Sequence, residues 1–296
     1  ADGCQPNKQG KEWAARAVGA AFGGTKQSYA SRSQWTHDNA ELIAAIASDP
    51  IRHSSQWETA HEPWQFLQLA MEWNAVVLQQ TKQLWQVPVS VDSTASGLQL
   101  LSAIRRDPVG MEWTNLIPSE DSDQPPKDAY LEVLRVAREI AEADSETAWL
   151  AEHLKDRSLG KPVLMIAIYG GSYRTNRGDI VGALRKLGSY PDPVSWDNTK
   201  AMTDILQKAS KQVFPAAFET LEWLKKLCTL AIENGATSLS WTTPCGDLIQ
   251  QSEYEIDSIE VDTYGHGRMR IAVGSVNKPN ENRLKSGFAP NYVHSF

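Results

Sequence analysis

Apolar positions recur at helical spacing along most of this chain and switch to strict alternation near its C-terminal end. Residues 31–47 (SRSQWTHDNAELIAAIA) predict a helix, with Asp38 or Asn39 near its start. Residues 63–80 predict another. Pro63 suits a first helical turn, where a missing N–H is no loss, and Phe66, Leu69, Ala70 and Trp73 repeat on one face. The apolar run Val87, Pro88, Val89, Ser90, Val91 predicts a short buried strand ending at Asp92, and a helix follows over 97–104. Residues 1–12 are polar and are expected to fray.

The segment 118–127 (PSEDSDQPPK) is a loop by its Pro and Asp content. It is the expected boundary between a first domain, 1–120, and a second, 121–296. Beyond it, 128–154 reads as helical, with Leu131, Leu134, Ala137, Ile140 and Ala141 on one face. Further helices are predicted over 161–169 and 175–187, then a turn region over 188–197. One or two long helices over 198–233 are interrupted near Pro215. After Gly235 the period becomes two, and 237–243, 248–252, 258–264 and 268–273 predict strands. Gly265-His266-Gly267 is a hairpin signal between the last two. The fold class is therefore α+β and mostly helical, without internal repeats.

Composition narrows the class. With 296 residues, 41% of them hydrophobic, the chain has ample material for a large core or for two. Mean hydropathy is −0.41, and no apolar run reaches the roughly 18 residues a membrane span needs. Cys4, Cys228 and Cys245 lie far apart, so neither a disulfide framework nor a cysteine-rich zinc site is expected, and a reducing cytoplasm fits. Net charge is −7, which taken alone argues against nucleic acid. Its distribution argues otherwise. Lys155, Arg157, Lys161, Arg174, Arg177, Arg185 and Lys186 stand against only Asp156 and Asp179 over 155–186, a basic stretch inside an acidic chain.

Two places carry candidate chemistry. Asp92 ends the predicted strand and precedes small residues, Ser93-Thr94-Ala95-Ser96-Gly97. It reads either as a cap of the next helix or as a Mg²⁺ ligand beside a close-approaching substrate. Arg157, Lys161 and Tyr169, at offsets of 4 and 12, fall within about 120° on a helix. A guanidinium fork and an ammonium group on one face suit a triphosphate. Pro162 leaves two helix starts open: one before Arg157, and one at Pro162 itself with Arg157 and Lys161 on the preceding turn.

In this order, Asp92-Ser93-Thr94-Ala95-Ser96-Gly97-Leu98-Gln99 and Arg157-xxx-Lys161-xxxxxxx-Tyr169-Gly170 resemble motifs A and B of the single-subunit DNA-directed RNA polymerases of bacteriophage and mitochondrial type. Asn115-Leu116-Ile117-Pro118 is similar to that family's NLLP segment. Trp241-Thr242-Thr243-Pro244 with Gly246 is similar to its Trp-x-Thr-Pro-x-Gly segment, and Ala289-Pro290-Asn291-Tyr292-Val293-His294-Ser295 to its APNFVHS segment. The resemblance runs over roughly 13–296.

The resemblance implies a right-hand polymerase, with part of the palm followed by fingers. Asp92 would be one of two metal-binding aspartates, with Mg²⁺ as cofactor. Arg157 and Lys161 would hold the incoming triphosphate, Lys161 also acting as general acid to the leaving pyrophosphate. Tyr169 and His294 would meet the ribose and the nascent pair, and Gly170 would let the pair approach closely. Gly97 would leave space for a 2′-hydroxyl where family A DNA polymerases typically carry a Glu. Tyr130 and Arg177 would contact the template. Implied partners are a DNA template, nascent RNA, ribonucleoside triphosphates and the remainder of the polymerase, with no membrane.

Departures accompany the resemblance. The tetrad ending in His in the family ends here in Leu100, and residues 169–174 read Tyr-Gly-Gly-Ser-Tyr-Arg where many members have an aromatic-Gly pair near position 174. The second catalytic aspartate, in a His-Asp motif after the VHS segment, is not in this sequence, nor is an upstream DxxGR-like element. His37-Asp38 falls at the wrong place in the order and reads as capping. The chain is therefore expected to be an incomplete catalytic portion, a partial sequence in preference to one part of a split enzyme, and inactive alone. The short interval between the two motifs favours a phage enzyme in an infected cell's cytoplasm over a mitochondrial one. Family A DNA polymerase and a non-catalytic nucleic-acid-binding fragment are the alternatives.

Overall fold

The computed structural model describes residues 3–24, 26–90, 93–117, 123–169, 171–188, 196–265 and 267–296. These divide into two compact units. The first holds residues up to Ser93 together with 123–127, and the second holds Thr94–Ile117 and Asp128–Phe296. The division falls between Ser93 and Thr94, inside the segment that resembles motif A; the boundary expected from composition was the 118–127 loop.

In the first unit, α1 (Lys8–Gly23) begins inside the stretch expected to fray. The Asn7 side chain caps it, accepting from the Gly10 amide at 2.8 Å. Gly24, at φ 86, lets the chain leave in a conformation that favours glycine. The helix predicted over 31–47 is two, α2 (Tyr29–Asp38) and α3 (Ala40–Ser48), meeting at Asn39. At the junction the Asn39 backbone N–H and Nδ2 both donate to the Trp35 carbonyl, at 3.0 and 2.8 Å, and Asn39 leaves helical geometry at φ −103 and ψ 24. After α4 (Ser54–Trp57), α5 (Pro63–Trp73) starts at the proline as predicted and continues through a π-helical turn, Asn74–Leu78. Val18, Ile43, Ile46, Phe66 and Trp73 form the buried centre of this unit, and the Phe22 and Trp35 rings stack at 4.2 Å.

The strand predicted over 87–92 is absent over the described residues 87–90, and 91–92 lie outside the described residues. Val87 and Val89 do pack against this core, so the alternation marks real burial. A strand, however, needs a hydrogen-bonding neighbour, and the local backbone pairing here is a single bridge between Cys4 and Trp85.

The second unit contains α6 (Ser96–Arg105), α7 (Pro108–Trp113), α8 (Ala129–Glu142), α9 (Arg157–Ile168), α10 (Tyr173–Leu187), α11 (Trp196–Val213), α12 (Pro215–Glu233) and α13 (Glu281–His294). Tyr130, Val133, Leu134, Ala137 and Ala141 make the buried face of α8, whereas Leu131, expected there, is exposed. The helix predicted to reach residue 154 stops at Glu142. There the Asp144 carboxylate accepts from the Glu146 amide at 3.0 Å and the Thr147 hydroxyl donates to the Ala141 carbonyl at 3.1 Å. A short 3₁₀ turn, Ala148–Glu152, follows. Pro215 separates α11 from α12, as its lack of a donor requires.

Among the described residues, four strands form two separate antiparallel pairs: β1 (Ser238–Thr242) with β2 (Leu248–Ser252), and β3 (Tyr254–Thr263) with β4 (Gly267–Pro279). In the second pair Ile259 faces Ile271 and Val261 faces Met269, while Glu260 faces Arg270 and Asp262 faces Arg268. The C-terminal segment is thus not strand throughout, since α13 closes it. Among the described residues, no helix is long and apolar enough to cross a membrane.

Candidate nucleotide-binding site

The site is built at the N-terminal end of α6. Ala95, just before the helix, sits at φ 52 in the left-handed region that a residue with a Cβ rarely adopts. Thr114 and Asn115 hold this turn. Asn115 Nδ2 donates to Thr94 Oγ1 at 3.1 Å, and Gln99 Nε2 donates to the Thr114 carbonyl at 2.8 Å. Asn115 is itself at φ 58, a conformation its short amide tolerates. The segment that resembles NLLP therefore braces the segment that resembles motif A.

Gly97, in the first turn of α6, is buried. A Cβ at this position would lie 2.6 Å from Ile168 Cγ2, 3.4 Å from His294 Nε2 and 3.7 Å from Tyr169 Cζ. The glycine lets α6 approach the end of α9 and the end of α13 at once.

α9 supplies the next groups. Asp156 caps it, accepting from the Ser158 amide at 2.8 Å. Hydrogen bonds from the Ser158 hydroxyl and amide hold the Asp156 carboxyl below the usual range. Of the two possible starts, the helix takes the earlier: it begins at Arg157 and carries Pro162 inside it. Arg157 and Lys161 stand one turn apart near its N-terminal end, and Tyr169 ends it, roughly 18 Å from Arg157 along the axis at 1.5 Å per residue. Lys161 is exposed.

Arg157 is held from two sides. Its Nε donates to Asp128 Oδ2 at 2.6 Å, and its guanidinium carbon lies 4.6 Å from the Tyr130 ring centroid. Asp128 Oδ1 meanwhile caps α8 by accepting from the Tyr130 amide at 3.0 Å. Tyr130, expected at the template, is only 4% exposed and lies beneath Arg157, its hydroxyl donating to Met165 Sδ at 3.3 Å. Arg177 on α10 is half-buried and donates through Nε to Thr199 Oγ1 at 2.9 Å.

α13 brings the last group. Trp241 on β1 donates through Nε1 to Ser295 Oγ at 2.7 Å and packs edge-on against Phe288 and at a tilt against Tyr292. Asn291 Nδ2 donates to Gln251 Oε1 at 3.2 Å. The β1–β2 hairpin, which carries the Trp-x-Thr-Pro-like segment, thereby fixes the helix that carries the APNFVHS-like one. His294, in its last turn, lies against Tyr169 with ring centroids 5.2 Å apart and planes within 5°. The Tyr169 hydroxyl is 3.0 Å from Ser96 Oγ.

Gly97, Tyr169 and His294 thus meet in space, and Arg157 and Tyr130 meet each other further along α9. Asp92 and Gly170 lie outside the described residues. Among the described residues there is no group of three or more His, Cys, Asp or Glu side chains that could hold a metal ion.

The family model of the DNA-dependent RNA polymerases matches residues 5–296. The chain belongs to that family. Relatives include the mitochondrial DNA-directed RNA polymerase of Homo sapiens, 31% identical over 86% of this chain, and that of Mus musculus, 28% identical over 86%. DNA-directed RNA polymerase 1, mitochondrial, of Arabidopsis thaliana is 26% identical over 97%. This polymerase-family chain spans 21% of the length of the two mammalian relatives and 30% of the plant one. These names correct the expectation of a phage-infected cytoplasm, because the relatives are organellar enzymes. The interval between the two motifs, on which that expectation rested, measures only chain length and carries no compartment information.

Two participants escaped the sequence reading. Ser96 is one of several small residues before Gly97, and Asp128 is the first residue of the stretch read as helical. Only the fold places the first on Tyr169 and the second on Arg157.

Proposed function

We propose that this chain is the nucleotide-binding portion of a longer, template-directed RNA polymerase of organellar type, with residues 1–120 belonging to the palm and 121–296 to the fingers. The observation that carries the reading is the parallel Tyr169–His294 pair set against Gly97. Two exposed, stacked rings beside a residue without a side chain offer an aromatic and polar wall to a sugar and base. Arg157 and Lys161, on the same helix, take the triphosphate. Arg157 is oriented by Asp128 and supported by the ring of Tyr130, and Lys161 is the proposed general acid to the pyrophosphate leaving group. Arg177 lies on the template side. The reaction is attack of the RNA 3′-oxygen on the α-phosphate of a ribonucleoside triphosphate, paired to a DNA template, with release of pyrophosphate.

Mg²⁺ is proposed as cofactor from the resemblance alone, with Asp92 as a ligand. Since the described residues hold no metal-binding group, no step is assigned to it here. A DNA polymerase reading is disfavoured by the names of the relatives, all DNA-directed RNA polymerases.

The test is primer extension on an RNA-primed DNA template by the polymerase that carries this segment. Ribonucleotides should be incorporated in preference to deoxyribonucleotides, and Arg157→Ala or Lys161→Ala should raise KM for the triphosphate at least tenfold, the factor expected on losing a charged hydrogen-bond donor. Equal use of the two sugars, or unchanged KM in both variants, would overturn the assignment.

A further inference from the structure

Resting on the reading just given, we infer that Ser96 is a positioning residue for sugar recognition: its hydroxyl anchors the Tyr169 hydroxyl, so that the tyrosine presents its remaining hydrogen-bonding capacity to the ribose 2′-hydroxyl. Four observations support this. Ser96 Oγ and Tyr169 Oη are 3.0 Å apart, a direct hydrogen bond between residues far separated in sequence. Ser96 is the first residue of α6, where its side chain is not used as that helix's cap, because Ala95 holds the cap position and no side chain caps the helix. The hydroxyl is thus available for a tertiary contact. The tyrosine ring also lies parallel to the His294 ring, with centroids 5.2 Å apart, so the ring is contacted as well as the hydroxyl. Finally, the residue after Ser96 is Gly97, so no side chain crowds the Tyr169 hydroxyl from α6.

The chemistry follows from what a phenol can do. A tyrosine hydroxyl has one proton to give and can accept as well, and its rotor turns to suit its partners. One bond to Ser96 fixes the rotor and leaves the other function directed outward. A second hydroxyl arriving at the same oxygen, such as a ribose 2′-hydroxyl, then joins a chain of hydrogen bonds in which each member polarises the next. A 2′-deoxy sugar leaves that position unmatched. Ser96 touches the tyrosine and not the reacting atoms, so it tunes selectivity without being a catalytic residue.

The experiment compares wild type, Ser96→Ala, Ser96→Thr, Tyr169→Phe and the double variant Ser96→Ala/Tyr169→Phe. The readout is single-nucleotide incorporation from ATP and from 2′-deoxyATP by the polymerase that carries this segment. Ser96→Ala should lower the ribo-over-deoxy ratio in kcat/KM by roughly two- to tenfold, the factor carried by one neutral hydrogen bond. Most of the change should lie in KM for ATP. Ser96→Thr should restore the ratio, and the double variant should lose no more than Tyr169→Phe alone, because the two groups act as one unit. In parallel, the ¹³Cζ resonance of Tyr169, read by NMR in the 296-residue chain, should move in Ser96→Ala and return in Ser96→Thr. Selective incorporation by wild type together with an unchanged ratio in Ser96→Ala would overturn the inference while leaving the polymerase reading intact. An unmoved Tyr169 resonance would overturn it independently of activity. Absence of any sugar selectivity in wild type would overturn both.

Discussion

Asp128 and Arg157 share one carboxylate between two tasks. One oxygen accepts from Arg157 Nε at 2.6 Å, and the other caps α8 through the Tyr130 amide at 3.0 Å. The start of α8 and the cation proposed for the triphosphate are therefore fixed by a single side chain that is only 11% exposed. The two tasks separate by substitution. Asp128→Ala removes both and should destabilise the fold by about 1–2 kcal/mol, chiefly through the lost cap. Asp128→Asn keeps a capping oxygen and should cost less than half of that, while freeing Arg157. Urea midpoints of the two variants provide the check; equal losses would mean that the cap contributes nothing.

Gly97→Ala should be poorly tolerated although alanine suits a helix. The new Cβ would meet Ile168 Cγ2 at 2.6 Å, inside any real contact distance. Overpacking of this kind costs about 1–3 kcal/mol, and its relief would displace the Tyr169–His294 pair. Adding Ile168→Ala removes the obstructing methyl. The double variant should therefore be more stable than the sum of the single losses, a coupling that a thermal or urea melt of all four proteins measures.

Tyr173 provides a pH signature. Burial and the hydrogen bond it donates to Asp204 at 2.9 Å push its pKa up to about 12. The folded state thus holds this proton more tightly than the unfolded chain, whose tyrosine titrates near 10. The stabilisation is fully present below pH 10 and is lost as pH rises towards 12. In urea melts between pH 9 and 12 the wild type should lose stability more steeply than Tyr173→Phe. Parallel curves would show that the α10–α11 contact contributes no pH dependence.

The cysteines should differ sharply in reactivity. Cys4 and Cys245 are exposed, whereas Cys228 is fully buried in the second core, and that burial pushes its thiol pKa up. Brief treatment of the native chain with iodoacetamide should modify Cys4 and Cys245 and spare Cys228 until denaturant is added. Peptide mass mapping reads this directly.

Much of this architecture was legible in residue order because local signals and tertiary packing agree. Pro63 and Pro215 begin helices where a missing donor is harmless, and Gly265 and Gly267, at φ 92 and φ 68, flank the turn of the β3–β4 pair. The meeting of Gly97, Tyr169 and His294 was foreshadowed only by resemblance, because nothing in the spacing of residues so far apart dictates contact. The failures share one cause, namely partners that periodicity does not see. Two helices meet at Asn39, whose side chain adds a bond to the Trp35 carbonyl, and side-chain bonds of Asp144 and Thr147 accompany the end of α8. Val87 and Val89 alternate like a strand, yet among the described residues no neighbouring strand receives them. Pro162 left two helix starts open, and the Asp156 cap accompanies the earlier one, with the proline carried inside.

The wall formed by Ser96, Gly97, Tyr169 and His294 draws its members from the first, middle and last helices of the second unit. No contiguous stretch of chain contains it. The sugar recognition proposed for it would consequently be a property of the finished tertiary structure, acquired only once α13 has docked, and a partly folded or trimmed molecule would lose the wall altogether.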